Sequence, residues 1–231
     1  MDYHSLGLEG YLMNVFDILG PVMIGPSSSH TAGAVRIGKI ARIVLGEQIV
    51  KADVYLHGSF AETYLGHGTD RAIVGGLLGF STDDERIREA VAIAAKVGIQ
   101  VTFHKSNLGE VHPNTAKIIS SGVSGKPISV VASSVGGGNI KVINVLGFSV
   151  NFSGQFHTLI IPHLDRPGTV GAVVGVLAGK GINIAQMYVT RERLGLQAMM
   201  VIETDEECDR ETMETLNTIS TLLSVTLVKP L

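Results

Sequence analysis

Three consecutive hydroxyl side chains and an imidazole stand together in the segment Gly25-Pro-Ser-Ser-Ser-His-Thr31, directly before a predicted helix. The unpaired N–H groups at a helix N-terminus favour an anion, and serine hydroxyls add hydrogen-bond donors around it. A carboxylate or a phosphate would fit this arrangement. The alternative is an N-cap, which needs one serine and leaves the other two in water.

A second histidine lies between two glycines in Gly66-His-Gly-Thr-Asp70, again before a predicted helix. The flanking glycines leave His67 unshielded, and an imidazole can act as a general acid or base near neutral pH. A tight turn capped by Thr69 or Asp70 is the alternative interpretation. The two histidines would form one site if the fold brought them together, which the order of residues along the chain leaves open.

Two weaker segments are candidates for the same cleft. They are His112-Pro-Asn-Thr115 and the glycine run Gly136 to Gly138, although ordinary loop chemistry accounts for both. The sequence has no HExxH, phosphate-binding loop, GxGxxG or GxSxG motif. Acidic neighbours should raise the pKa of Cys208, so we interpret this thiol as structural.

The composition narrows the class of protein. The chain has 231 residues, 45% of them hydrophobic, a net charge of -3 and one cysteine. One thiol forms no internal disulfide, Cys-rich zinc site or iron-sulfur cluster. The charge balance argues against nucleic acid as a partner, and no apolar run is long enough for a membrane span. Residues 1–10 show no signal peptide, so we expect a cytoplasmic protein. The mean hydropathy of +0.32 favours an oligomer.

The elements that must position these residues follow from hydrophobic periodicity. In residues 1–150, strands and helices alternate, and we place a domain boundary in the aperiodic stretch 148–155. The helices are predicted over 31–45, 69–78 and 83–97, and the strands over 49–56, 99–104, 128–134 and 140–146, the last two joined as a hairpin or a glycine-rich ligand loop.

The C-terminal part has the order β-α-β-β-α-β, which is the ferredoxin-like unit. Its strands are predicted over 156–162, 182–190, 196–203 and 225–228, and its helices over 168–178 and 209–222. Asp165 and Gly168 lie at the start of the first helix, and Asn183 follows that helix. Such groups suit the carboxylate and amino groups of a free amino acid, although loop geometry alone also explains them.

These motifs carry a resemblance that covers nearly the whole chain. The segments GPSSSHTAGAVRIGKIAR, HGSF, GHGTDRAIVGGLLG, HPNT and SVGGGNI resemble the β chain of the two-chain, iron-sulfur-dependent bacterial L-serine dehydratases. The segment HLDRPGTVGAVVGVLAGKGINIAQM resembles an ACT domain. The resemblance implies an α/β (α+β) protein. A mixed α/β domain over residues 1–150, similar to an allosteric substrate-binding domain, would precede a ferredoxin-like βαββαβ ACT domain over 155–231.

The resemblance also implies an activity, in which L-serine is converted to pyruvate and ammonia. The family uses a 4Fe-4S cluster held by the α chain, which agrees with the single cysteine here, so this chain itself would bind no metal and would be inactive without the α chain. By motif, His30 and His67 contribute to activity. The substrate-binding residues would be Ser27, Ser28, Ser29, Thr31, Gly68, Thr69 and Asp70, with Asp70 orienting His67.

Three alternatives concern what the chain does with these sites. Asp165, Gly168 and Asn183 would bind a regulatory amino acid, or the ACT domain would instead serve homodimerisation or an α2β2-type assembly. The whole chain would otherwise be a regulatory subunit that binds amino acids or anions and leaves every catalytic step to the α chain. A freestanding sensor without a partner is the third possibility.

Overall fold

The computed structural model describes residues 22–231. Our interpretation of residues 1–10 therefore lies outside the described part of the chain. The described elements, in chain order, are a π-helical turn Ser29–Gly33 that continues into α1 Ala34–Leu45, then β1 Ile49–Leu56, α2 Gly58–His67, α3 Thr69–Leu78, a 3₁₀ turn Glu85–Glu89, α4 Ala90–Lys96, β2 Gln100–Lys105, β3 Thr115–Gly122, β4 Pro127–Gly136, β5 Asn139–Val145, β6 Phe148–Phe152, β7 His157–Leu164, α5 Thr169–Gly179, β8 Ile184–Arg191, β9 Gln197–Thr204, α6 Arg210–Asn217 and β10 Thr226–Val228.

The first unit is a six-stranded sheet in the order β2-β1-β3-β4-β5-β6. Strands β1 and β2 are parallel, and the other neighbours are antiparallel. Along β1, Ala52, Val54 and Leu56 are fully buried while Asp53 and Tyr55 between them are half-buried. This period of two fits a sheet whose better-buried face packs against helices.

Helices α1 and α3 lie against each other at two glycines. An ideal Cβ on Gly76 would be 2.1 Å from the carbonyl oxygen of Val35, and one on Gly38 would be 2.3 Å from that of Ile73. The helix backbones can approach this closely because neither glycine carries a side chain. The crossing therefore fixes α3, and the residues that precede it, relative to α1.

The structure corrects several predictions for the first unit. It has a helix, α2, between β1 and α3, and a strand, β3, neither of which we predicted. The helix predicted over 83–97 is a 3₁₀ turn followed by the short α4, and β6 occupies the first part of the stretch in which we placed the domain boundary. Glycines close to both ends of α2 and its weak amphipathic pattern explain why periodicity missed it.

The second unit has the predicted order β-α-β-β-α-β, and its sheet has the strand order β10-β7-β9-β8. One sheet face packs on α5 and α6 through Leu159, Met200 and Ile202. On the other face, Met199 and Val201 belong to the hydrophobic core of the first unit. The two sheets thus share a core. Within residues 22–231, no helix is both long and apolar enough to cross a membrane.

Candidate active site

His30 lies in the π-helical turn that opens α1, and hydroxyl groups face both of its ring nitrogens. The Oγ of Ser27 is 3.3 Å from Nδ1. On the other side of the ring, the Oγ of Ser59 is 3.3 Å and the Oγ1 of Thr63 is 3.1 Å from Nε2. The ring also contacts Phe60 edge to face, with centroids 5.2 Å apart. Helix α2 therefore supplies three of the neighbours that orient this imidazole.

His67 comes to the same place from the last turn of α2. Its ring centroid lies 4.7 Å from that of His30, with an angle of 40° between the planes. The chain then turns at Gly68, whose φ of 72° is left-handed, and enters α3. A residue with a side chain rarely adopts this conformation, so the glycine after His67 serves the turn. The two histidine motifs, which sequence alone left unconnected, form one constellation.

The turn corrects our interpretation of the second motif. His67 precedes α3, as predicted, but it also ends helix α2, which was not predicted, and Gly68 is the N-cap of α3 with no side chain capping it. Neither Thr69 nor Asp70 acts as the cap that we predicted. Thr69 is fully buried, and neither its Oγ1 nor the buried Oδ1 of Asp70 has a hydrogen-bond partner among the described residues.

The residues predicted to surround an anion fall into two groups. Ser27, Ser28 and Ser29 are half-buried. Thr31 is buried, with 2% of its surface exposed, and its Oγ1 has no hydrogen-bond partner within residues 22–231. Gly25 packs directly on this hydroxyl, because an ideal Cβ there would lie 2.0 Å from Oγ1. The serines, rather than Thr31, are therefore the accessible hydroxyls of the motif.

A cavity of about 210 Å³ opens beside His67. Two guanidinium side chains, those of Arg71 and Arg88, line it together with Thr31 and the glycines on either side of His67. The Nε of Arg71 is 4.0 Å from the Oδ1 of Asp70. Arginine fits carboxylate and phosphate groups in a bidentate geometry, so the cavity favours an anionic ligand next to the imidazole of His67, which contacts that of His30.

The two weaker loop candidates lie at the same end of the sheet, where β3 begins and β4 turns into β5. The backbone N–H of Phe60 donates to the carbonyl of Pro113 over 3.4 Å, and the N–H of Ser134 donates to that of Asn114 over 2.9 Å. Nη1 of Arg36 donates to the carbonyl of Gly138 over 2.7 Å. These bonds attach the first loop to α2, which carries the neighbours of His30, and the glycine run to α1, which directly follows the turn that carries His30.

The surroundings of His30 favour its neutral form. Burial lowers the pKa of His30 below its ordinary value of 6.5, and the neighbouring His67 lowers this pKa further. Both effects act because a second positive charge and a poorly hydrated site each disfavour the imidazolium ion. A neutral imidazole at physiological pH can accept a proton.

Sequence reasoning missed five residues of this site: Ser59, Phe60, Thr63, Arg71 and Arg88. The HGSF segment at the end of β1 was a signal for the first two, since polar residues after a buried strand often carry function. Thr63 became recognisable only with α2, whose helical spacing places it one turn after Ser59. Arg88 lies in the segment that we interpreted as a regular helix, where a basic residue had no special meaning.

The candidate ligand residues of the second unit are not brought together within one chain. Asp165 follows Leu164, which pairs with Gln197, whereas Asn183 precedes Ile184, which pairs with Thr204 at the other end of β9. At the rise of a strand, this separates them by roughly 20 Å. The Oδ2 of Asp165 accepts from the N–H of Gly195 over 3.0 Å, and Nδ2 of Asn183 donates to Asp205 over 2.6 Å. Gly168 is exposed at the N-cap of α5, on the side of Asp165.

The thiol chemistry of this chain does not fit an iron-sulfur cluster. Cys208 is the one cysteine, it is buried, and burial followed by the charge of Asp209 raises its pKa. In the part of the chain that the structure describes, no three His, Cys, Asp or Glu side chains form a metal-binding group. A 4Fe-4S cluster needs several thiolates, so no step of the chemistry of this chain can be assigned to one.

Comparison with known proteins connects this geometry to two families. Residues 14–98 match the family model described as serine dehydratase beta chain, and residues 157–220 match the ACT domain. A probable L-serine dehydratase beta chain of Bacillus subtilis strain 168 is 46% identical over 92% of this chain and 96% of its own length. An L-serine dehydratase beta chain of Peptoniphilus asaccharolyticus is 38% identical over 84% and 87%. A D-3-phosphoglycerate dehydrogenase of Methanocaldococcus jannaschii is 29% identical over 89% of this chain and 38% of its own length.

Proposed function

Because the chain belongs to the family of L-serine dehydratase β chains, we propose that it supplies proton-transfer and substrate-binding side chains to an active site completed by a separate α chain. The observation that carries this proposal is the contact between His30 and His67, whose ring centroids are 4.7 Å apart beside a cavity with two arginines. Such a pair of imidazoles next to an anion site suits a substrate that has a carboxylate and must lose a proton.

The proposed reaction removes water from L-serine. The α-proton leaves to a base, and its C–H electron pair forms the double bond as the β-hydroxyl departs and takes up a proton to become water. The enamine then tautomerises to an imine, which water hydrolyses to pyruvate and ammonia. His30 is the base in this proposal because its lowered pKa keeps a ring nitrogen free to accept the α-proton.

Substrate binding is assigned to the exposed side of the constellation. Arg71 and Arg88 hold the serine carboxylate from the cavity, and Ser27, Ser28 and Ser29 add hydroxyl donors next to His30. His67, which is exposed at the rim, contacts the bound substrate and faces the α chain. The 4Fe-4S cluster belongs to the α chain in this proposal, since the single buried thiol here cannot hold it.

We propose a separate role in assembly for the second unit. Strand β8 is the edge of its sheet, and Met187, Tyr188 and Val189 on it are 41%, 38% and 42% exposed. An exposed apolar edge strand is a template for pairing with another strand. A homodimer formed through this edge would build an α2β2 assembly and would provide a second Asn183 from the other copy near a first Asp165.

Reconstitution tests the proposed function. The α chain is purified with its cluster reconstituted anaerobically, and serine-to-pyruvate turnover per cluster is measured as this chain is added. Turnover should rise to a plateau at a fixed stoichiometry, and neither chain should be active alone. Full activity of the α chain by itself would contradict the proposal. A cluster-loaded complex whose turnover is unaffected by changes at His30 and His67 would favour a purely regulatory subunit.

A further inference from the structure

The hydrogen bonds around His30 distinguish its two ring nitrogens. A neutral imidazole carries one proton, on either Nδ1 or Nε2, and the neighbours of each nitrogen decide which form is stable. Thr63 faces Nε2 and Ser27 faces Nδ1. The ring nitrogen that faces a hydrogen-bond acceptor carries the proton, and the one that faces a donor does not.

Thr63 is placed to accept a hydrogen bond from His30, because the carbonyl oxygen of Ser59 lies closer to its hydroxyl than Nε2 does. Its hydroxyl has one proton, which it donates to the backbone carbonyl of Ser59 over 2.7 Å. The oxygen that lies 3.1 Å from Nε2 therefore presents a lone pair to the ring. If Nε2 carried no proton, two lone pairs would face each other at this distance, in a half-buried site where water replaces the lost bond poorly.

Ser27 can serve as the donor on the other side. Its Oγ accepts from the backbone N–H of His30 over 3.4 Å, which leaves its own proton free for Nδ1 at 3.3 Å. The remaining neighbour, Ser59, has a rotatable hydroxyl 3.3 Å from Nε2 that accepts as readily as it donates. Among the described contacts of these three hydroxyls, Thr63 is the one with a nearer acceptor for its proton, so Thr63 favours the tautomer with the proton on Nε2.

We infer that Thr63 is a positioning residue, which holds the proton of neutral His30 on Nε2 and leaves Nδ1, next to Ser27, as the basic atom. Ser27 is then the hydroxyl of the serine triplet that donates a hydrogen bond to the basic nitrogen of His30 until the substrate approaches it. Phe60 packs against the ring and opposes the rotation that would exchange the nitrogens. The catalytic consequence of this inference depends on the proposed function, whereas the tautomer does not.

Nitrogen-15 NMR of the full chain, labelled at histidine, tests the tautomer without any turnover. Ring nitrogens with and without a proton differ widely in chemical shift, and His30→Gln identifies the signals of His30 by their disappearance. We expect Nε2–H in the wild-type chain and in Ser27→Ala, and loss of this preference in Thr63→Val, where a methyl replaces the hydroxyl. Thr63→Ser should restore it. Nδ1–H in the wild-type chain would overturn the inference, even if Thr63→Val failed to fold.

Turnover in the complex with the α chain tests the consequence. Thr63→Val should lower kcat by about tenfold and change KM little, because the base is misoriented while the carboxylate site is kept. Thr63→Ser should recover most of the lost kcat. An altered tautomer with an unchanged kcat would overturn the role of Thr63 in catalysis, and an inactive wild-type complex would count against the proposed function instead.

Discussion

The two units place similar polar residues after strands and beside helices, yet they use them differently. In the first unit, His30 and His67 meet across elements that are distant in sequence, and polar oxygens near them, such as that of Thr31, have no hydrogen-bond partner within residues 22–231. In the second unit, Asp165 and Asn183 bond to the turns next to them and lie at opposite ends of the sheet. The comparison shows that residue type and local position only suggest a binding site. A site forms where several helices and strands bring such residues into contact.

The largest expected effect concerns the base of the first unit. In the reconstituted complex, His30→Gln should lower kcat by roughly 10²- to 10⁴-fold, the range that general base catalysis contributes. His104→Gln is the matched control, since His104 lies on the edge strand β2, stacked on Tyr55. The measurement is pyruvate formed per cluster. Equal activity of the two variants would show that His30 is not the base.

A smaller effect is expected where the helices of the first unit cross. Gly76→Ala should lower the free energy of unfolding by about 1–3 kcal/mol, because the new methyl group overpacks the contact with Val35. Urea unfolding followed by circular dichroism measures this change. If the variant were as stable as the wild type, α1 and α3 could move apart without a loss of folding free energy. Their crossing would then not fix the position of α3.

The pH dependence of the first unit should respond to the second imidazole. Because the pKa of His30 lies below 6.5, the neutral base persists to lower pH, and the acid limb of kcat/KM should fall below pH 6.5. His67→Gln removes one of the two causes and should move this limb upward, though burial keeps it below the ordinary value. The profile of His104→Gln should stay in place. If the acid limb of His67→Gln stayed where it is in the wild type, the charge of His67 would have no effect on the pKa of His30.

The smallest effect is expected in the second unit. Gly175 lies within α5, is exposed and has nothing within 4 Å of an ideal Cβ, so Gly175→Ala should raise the free energy of unfolding by about 0.5–1 kcal/mol through helix propensity. Urea unfolding compares it directly with Gly76→Ala. A destabilised variant would show that another chain covers this helix face.

The hydrophobic pattern of the sequence predicted the helices and strands of the second unit better than those of the first. All six elements of the C-terminal unit were predicted, because α5 and the strands are apolar segments separated by clear turn residues. Helix α2 and strand β3 were missed, since glycines close to both ends of α2 and small polar residues in β3 weaken the periodic signal. Because α2 was missed, so were Ser59 and Thr63, whose hydroxyls lie within hydrogen-bond distance of Nε2 of His30.

The sequence by itself determined the chemical groups, the family and the exclusion of a cluster on one thiol. These properties depend on residue types and on spacings within a few residues, which the order of the chain contains. Only the tertiary structure decided that His30 meets His67, that the Thr63 hydroxyl lies 3.1 Å from Nε2 of His30, and that Asp165 and Asn183 stay apart. Those relations depend on the order of strands in a sheet and on how closely helices pack, which are set by the whole molecule rather than by any one segment.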